Sequence, residues 1–422
     1  MTAPVFDYIL VGGGLQSGLL ALALRHHQPA ARVLLVERAW QLAGNHTWSF
    51  HPDDVTASAA AWVAPAVEHR WPSYQIRLSR FEKQIDLAYA SISSSYFAGV
   101  VSQVFDNECN FAFDSRDARS VLLLGNDVTE IHPREIRTAS GESYNGRLVI
   151  DCRGPKPAQE LPFSQCGYQK FWGFELELQS DWPFTGPTIM DDQIEQGDGF
   201  RFIYSLPFNR RRVLVEDTRF ANSPEIDRDE CFQQIQLYLE RIGIRGWSIV
   251  REEYGILPMP FSSERMPGDA HESTEQVIAG GYAGGWFHAA TGYSFPLAIA
   301  FAEAIATTTP ELASDAIVRL ADSHRARSRF TRFLNRLLFC LVKPTTRYQI
   351  FRRFYKVLPE ASIARFYAHQ FTASDAIRII VGLPPMGLQP RCFVRSYFSS
   401  GGQASNHNNP RVPKTSYVEI GV

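Results

Sequence analysis

The 422-residue chain has only six cysteines, scattered without a C-x-x-C pair or a His/Cys cluster at metal-ligand spacing. That excludes a disulfide scaffold and gives no reason to expect a metal. No run is as long as the roughly 18 apolar residues a membrane-spanning helix needs. The nearest, WFHAATGYSFPLAIAFA, is broken by Gly, Pro, His and hydroxyls. The opening MTAPVFD enters an apolar strand without a basic segment, signal core or cleavage site, so a cytoplasmic protein is expected. Internal repeats, a P-loop and a G-x-S-x-G elbow are all missing.

What is present is an ordinary hydrophobic fraction of 45% with a high aromatic one of 13%, including 29 Phe and 16 Tyr. This composition suits greasy internal surfaces or a lipid-like ligand. The net charge of −2 hides an asymmetry. Residues 325–378 hold twelve Lys/Arg against two acids, and the first 324 residues carry about −15.

The stretch FDYILVGGGLQSGLLALALRHH has the order strand, glycine turn, apolar helix. Gly12 permits the tight turn. Gly13 and Gly14 let the backbone approach a pyrophosphate at the N-terminus of a helix starting near Leu15. The third glycine of G-x-G-x-x-G is displaced by one, to Gly18, with Ser17 in its place. A second strand, VLLVE, ends in Glu37, 23 residues after Gly14, where an acid for an adenosine ribose is expected. RLVIDCRGP is a further strand ending in Asp151 with Gly154 behind it. QVIAGGYAGGWFHAATGYSFPLAIAFAEAIA reads as strand, glycine-rich turn and long apolar helix, and resembles the late segment that in two-dinucleotide-binding flavoproteins returns to the first nucleotide fold. Its Gly280-Gly281 stands where an Asp is usual. Asn45, His46, Gly281, His288 and Gly292 flank these turns and are the remaining candidates for cofactor contact.

From about Tyr168 to Pro260 the pattern becomes short alternating strands, as in an antiparallel sheet. FRFIYSLP and RRVLVEDT read as a hairpin, with Leu214 and Glu216 on one face and Val213, Val215 and Asp217 on the other. If Leu206 pairs with Arg211, Glu216 meets Arg201 in a cross-strand ion pair. If the register slips by one, Glu216 faces Phe200 or Phe202, and desolvation keeps it a proton donor near neutral pH.

The basic segment 325–378 interleaves ten aromatics with its cations. Phe330, Phe333, Leu334, Leu337 and Leu338 recur at helical spacing beside Arg329, Arg332 and Arg336. This pattern suits either an anionic membrane surface or a helical bundle neutralising the acidic body. No nucleic-acid motif accompanies it, so no nucleic-acid partner is expected. Beyond Pro390 a disordered tail is expected.

Together VGGGLQSGL, AGNHTWSFH, VIDCRGP, PTIMDD, GFRFIYSLPF, VLVEDTRF, YGILPMP and GGWFHAATGYSFPLA resemble the bacterial lycopene β-cyclases, a likeness that continues through FTRFLNRLLF to about Pro385. The resemblance implies an α/β fold: a Rossmann-type FAD-binding domain of the two-dinucleotide-binding kind, with an antiparallel-sheet substrate domain and a helical C-terminal region. The expected boundaries are 1–160 and 266–320 for the FAD-binding parts and 161–265 for the substrate sheet, then 321–390 for the basic helical region and 391–422 for the tail.

It also implies a non-redox ring closure of the linear ends of lycopene, and of the monocyclic carotenoid, into β-rings. The enzyme would need reduced FAD, with NAD(P)H as electron source, and no metal. Glu216 matches the essential acid of the strand motif and Asp217 is the weaker candidate; the flavin is the alternative proton donor. Phe202, Tyr204 and Trp286 are candidates for cation–π stabilisation or plain core packing. The apolar substrate shifts the basic segment toward peripheral membrane docking at the inner face of the cell membrane, with other carotenoid-pathway enzymes as candidate partners. An FAD-dependent monooxygenase, a prenyl-lipid reductase and a carotenoid carrier are the rival readings.

Overall fold

The computed structural model describes residues 5–106, 120–154, 166–197, 199–261, 277–381 and 388. The tail expected to be disordered, 391–422, lies outside them.

Two seven-stranded sheets carry the architecture. The first has Val5–Val11 at its centre, flanked in parallel by Val33–Val36 and Ser143–Asp151. Val121–Leu123 extends one side, and the antiparallel meander Val128–His132 and Glu135–Thr138 the other. The central strand is apolar on both faces because both are covered: Tyr8 and Leu10 enter one core cluster, Ile9 and Val11 another. Helix Leu15–His27 leaves the glycine turn with its first ten residues buried. It packs against helix Phe295–Ala306, which is more apolar still. Ahead of that second helix, Ile278–Ala279 joins the first sheet in parallel, Ile278 beside Ile150 and Ala279 beside Asp151. The late segment therefore returns to the sheet that the chain began.

The second sheet runs in the order Trp247–Pro260, Cys166–Leu178, Arg212–Ala221, Phe200–Pro207, Thr188–Asp191, Tyr74–Leu78, Phe81–Ile85. The hairpin Tyr74–Ile85, although inside the 1–160 stretch, is built into this sheet through its parallel pairing with Thr188–Asp191. Helix Arg228–Arg241 covers one face, over a cluster that includes Phe174, Val213, Val215 and Tyr238. A small sheet of Thr47–Phe50, Tyr89–Ser93 and His69–Trp71 sits between the two large ones.

The hairpin register differs from both arrangements expected from sequence. Leu206 pairs with Leu214, so Glu216 stands opposite Tyr204, while Arg201 faces Arg219. The cause is the turn. The Asn209 side-chain oxygen accepts from the N–H groups of Arg211 and Arg212, and the Phe208 N–H donates to the Arg212 carbonyl, which draws extra residues into the loop.

The C-terminal region is helical: Ala313–Arg336, Tyr348–Val357, Glu360–Tyr367 and Ala373–Ile380. Arg347 is fully buried and donates to the carbonyls of Leu338 and Phe220. Asn335 donates to the carbonyls of Pro260 and Ala289. Much of the segment thus packs as a bundle against the body. No helix among the described residues is long and apolar enough to cross a membrane.

Candidate active site

Gly12 adopts φ +94°, and a Cβ there would lie 2.9 Å from the Arg153 nitrogen, so the turn admits no side chain. Gly14 caps helix Leu15–His27 with no side-chain hydrogen bond and no acid follows in the first turn, which leaves the helix's N-terminal donors for an external anion. Glu37 is held at this turn, its carboxylate accepting from the N–H of Gly13 at 2.5 Å and of Ala39 at 2.8 Å. Gly18 has another role. A Cβ there would strike Phe97 and Val101 of helix Ser94–Asp106, so it serves helix packing. Asp151 ends its strand engaged by Arg153 at 2.8 and 2.9 Å, with Gly154 following.

The return segment is tied to the first helix by Gln16, which accepts from the Gly281 N–H at 3.3 Å and donates to the Ala298 carbonyl at 3.1 Å. Gly281 and Gly292 take φ +57° and +69°. Helix Phe295–Ala306 begins with neither a side-chain cap nor an acid in its first turn. Two bare helix N-termini and a side-chain-free turn fit the dinucleotide expected from sequence. Among the described residues no group of three or more His, Cys, Asp or Glu could hold a metal.

Between this unit and the second sheet lies a cavity of about 240 Å³. His46 to Ser49 wall one side and Ala290 to Phe295 another, Phe202, Glu216 and Phe220 rise from the sheet, and Phe351 and Tyr367 close it from the C-terminal helices. Glu216 is buried, and burial pushes its carboxyl well above the usual carboxylate range, reinforced by the neighbouring charge of Glu253, to which it is hydrogen-bonded. The Tyr204 hydroxyl beside it donates to Ser49 Oγ at 2.8 Å and lies 3.2 Å from the Tyr89 hydroxyl. Burial raises both phenols, which therefore stay neutral donors.

Asp217 points the other way. It is fully buried beneath helix Arg228–Arg241, where Arg201 donates to both of its oxygens and Arg219 to one at 3.3 Å; Glu230 completes the network. The ion pair with Arg201 exists, but on Asp217 and not on Glu216.

Of the other candidates, His46 lines the cavity, half-buried, its imidazole pKa lowered by desolvation. Asn45 donates to the Glu252 carbonyl at 2.6 Å and accepts from Arg251 at 3.1 Å. His288 packs its ring against Phe366 and His369 behind the glycine loop, and burial lowers it to about 3. Trp286 packs on Phe301 and donates to the Ala279 carbonyl, within the nucleotide-unit core. Phe202 and Tyr204 do line the cavity, as do Tyr89, Tyr293, Phe351 and Tyr367, which sequence reasoning did not single out.

The fold and these turns define a flavoprotein-type Rossmann protein. The structure of a geranylgeranyl bacteriochlorophyll reductase-like protein from Thermoplasma acidophilum superposes with a TM-score of 0.57 at 12% identity, covering 90% of this chain and 96% of that one. A flavin-dependent brominase does so at 0.54 and 11%, covering 89% and 97%. Within that class, residues 7–391 match the lycopene cyclase protein family, and the chain belongs to it. It is 37% identical over 388 residues to the lycopene beta-cyclase of Pantoea ananas, covering 91% of this chain and 96% of that one. With the lycopene beta-cyclase of a Paracoccus species it shares 34% over 392 residues, 92% and 96% of the two chains.

Proposed function

We propose that the protein is a lycopene β-cyclase, converting the linear ends of lycopene into β-rings by way of the monocyclic carotenoid, with Glu216 as the proton donor. The observation that carries this is one desolvated carboxyl, held well above the usual carboxylate range, on the wall of an aromatic cavity beside the nucleotide unit. Ring closure requires a proton at carbon 2 of the terminal double bond, attack of the next double bond on the cation at carbon 1, and loss of the proton on carbon 6. An acid in a water-excluded pocket suits the first step. The faces of Phe202, Phe220, Phe351 and the tyrosines suit the cation that follows.

FAD is the cofactor in this reading, held by Gly12, Gly13, Gly14 and Glu37 with the return segment around Gly281 and Gly292. When bound in reduced form, with NAD(P)H as the ultimate electron source, it supplies electron density that stabilises positive charge. This chain's residues exclude water, orient the polyene end group and carry the proton. Asp217, bound to two arginines on the far face, holds the strand that presents Glu216.

Peripheral membrane contact belongs to the same proposal, because the substrate is dissolved in a bilayer. Its support is an exposed apolar patch: Val357 at the end of one helix and Ile377, Ile380 and Val381 at the end of the last, beside exposed Lys356 and Arg378. Arg353 joins the two helix ends through the carbonyls of Ile379 and Arg378.

The test is conversion of lycopene by purified protein carrying reduced FAD. A product of unchanged mass with β-rings is expected from the wild type, and none from Glu216→Gln. A reductase or monooxygenase changes the product mass and consumes NAD(P)H stoichiometrically, and a carrier returns its ligand unaltered. Full ring formation by Glu216→Gln removes this residue from the mechanism.

A further inference from the structure

Three strands of the second sheet place Glu216, Gly173 and Glu253 in a single row: Gly173 pairs with Glu216 on one side and with Glu253 on the other. Residues in register across adjacent strands project to the same face. The two carboxyls would therefore be separated by whatever side chain the middle strand carried, and it carries none. A Cβ at Gly173 would lie 2.5 Å from the Glu216 Cγ and 3.3 Å from its Oε1. The Glu216 side chain thus occupies the space above Gly173 and leans toward Glu253, which is itself buried.

Glu253 does not line the cavity; it is held behind the wall formed by His46 to Ser49. Arg251 binds its Oε2, Thr47 Oγ1 donates to the same oxygen at 2.8 Å, and the Thr47 N–H lies 3.3 Å from Oε1. Arg251 in turn donates to Thr47 Oγ1, Asn45 Oδ1 and Glu175. Asn45 and Thr47 of the NHTWSF stretch therefore serve this clamp, a role the sequence did not suggest.

We propose that Glu253 is a positioning residue for the ring closure: clamped by Arg251 and Thr47, it shares a single proton with Glu216 across the gap left by Gly173, and so presents Glu216 to the cavity as an acid. This rests on the cyclase reading above. Two carboxyls in hydrogen-bond contact cannot both ionise readily, so the pair keeps one proton where isolated carboxyls would have lost theirs. Arg251 balances the remaining charge. In turnover the Glu216 O–H bond breaks as the bond from hydrogen to carbon 2 forms. The proton lost from carbon 6 restores the pair, which ends each cycle with the proton it began with.

The titratable groups next to Glu216 are Glu253 and Arg251 on its own sheet, Tyr204 on the next strand and Tyr89 from the small sheet, and His46, His51, Tyr282, Tyr293 and Tyr367 line the same cavity. Among them Glu253 contributes the like charge, so it is the one whose removal lowers Glu216.

The test uses full-length Glu253→Gln with FAD bound. Infrared spectroscopy follows the C=O band of a protonated carboxyl, identified by its shift in D2O and its loss in Glu216→Gln. In the wild type the band is expected to persist at neutral pH. In Glu253→Gln it should titrate away about one to three pH units lower, and the alkaline limb of the ring-formation profile should move with it. Gly173→Ala should reduce ring formation by about a hundredfold through misplacement of the acid. An unchanged band midpoint and an unchanged alkaline limb in Glu253→Gln overturn the proposal, whether or not Gly173→Ala folds. A wild type that shows the shared band but closes no ring removes the cyclase assignment and leaves the shared proton standing, because the infrared reading needs no turnover.

Discussion

Replacing Glu216 by Gln should stabilise the protein while abolishing ring formation, and the gain should depend on pH in a defined way. The folded carboxyl holds its proton well above the ordinary value of 4.5, by burial first and by Glu253 second. At pH values between that ordinary value and the raised one, the unfolded chain has lost a proton that the folded chain keeps. Wild-type stability is therefore highest below the ordinary value and falls as pH rises through the window. The slope is about 1.4 kcal/mol per pH unit for one proton, and the penalty is constant above the folded value. Gln cannot ionise, and its amide still donates to Glu253, so the variant lacks the fall. Across a span of two pH units inside the window the two proteins should diverge by about 2.7 kcal/mol. Urea unfolding of both at matched flavin loading, scanned from mildly acidic to mildly alkaline pH, reads this directly. Parallel curves would mean that Glu216 is ionised in the folded protein, and the proton-donor argument would fall with them.

Other perturbations separate the parts of the fold. Asp217→Asn leaves the buried Arg201 and Arg219 with only the half-exposed carboxylate of Glu230 and should destabilise by about 3 kcal/mol, while the alkaline limb of ring formation stays where it is; denaturant titration with a pH–rate profile checks both. Gly12→Ala combines a left-handed φ of +94° with a backbone approach of 2.9 Å, so equilibrium dialysis should show FAD binding weakened at least about tenfold. Ile377→Asp with Ile380→Asp should reduce co-sedimentation with anionic vesicles and leave unfolding midpoints nearly unchanged, since both side chains are exposed. Equal vesicle binding by the double variant would move membrane contact away from that helix end.

Strand, glycine turn and helix were legible because each is a local pattern: the ILVGGG turn and the apolar run of the helix after it need no distant partner to be recognised. The alternation in VLVEDT also located its two acids on opposite faces, as found. Register was not legible, because it depends on how many residues the turn absorbs, and that was decided by Asn209 capping two N–H groups. The Glu253 carboxyl was hidden for a related reason. It meets Glu216 only through a strand more than forty residues upstream of Glu216, and the enabling feature is a missing side chain at Gly173. A signal did exist: REEY, like VEDT, is an acid doublet on an alternating strand, so one of Glu252 and Glu253 had to face inward. The basic C-terminal segment was legible only in part. Its periodicity described a helix correctly, but Phe351 and Tyr367 turn to the cavity and Arg347 to buried carbonyls, which only tertiary packing specifies.

The same strand carries two neighbouring acids with opposite electrostatic fates, and the distribution of arginines explains both. Asp217 receives two guanidinium groups directly, Arg201 and Arg219, so its charge is matched where it is buried. Glu216 is a residue away and equally enclosed, yet the hydrogen bonds of Arg251 go to Glu175, Glu253, Asn45 and Thr47. Interposing Glu253 transfers the cation's influence to a second carboxyl and gives Glu216 a hydrogen-bond partner that favours its protonated form. A guanidinium in contact with Glu216 would have done the reverse and made it a structural ion like its neighbour. It follows that Glu253→Gln should leave an acid that ionises more readily, whereas Arg251→Met should leave a carboxyl pair with no counter-charge, which favours binding a second proton. The two substitutions, made within one clamp, should displace the alkaline limb of ring formation in opposite directions; a common direction for both would show that the clamp acts only by holding the strands together.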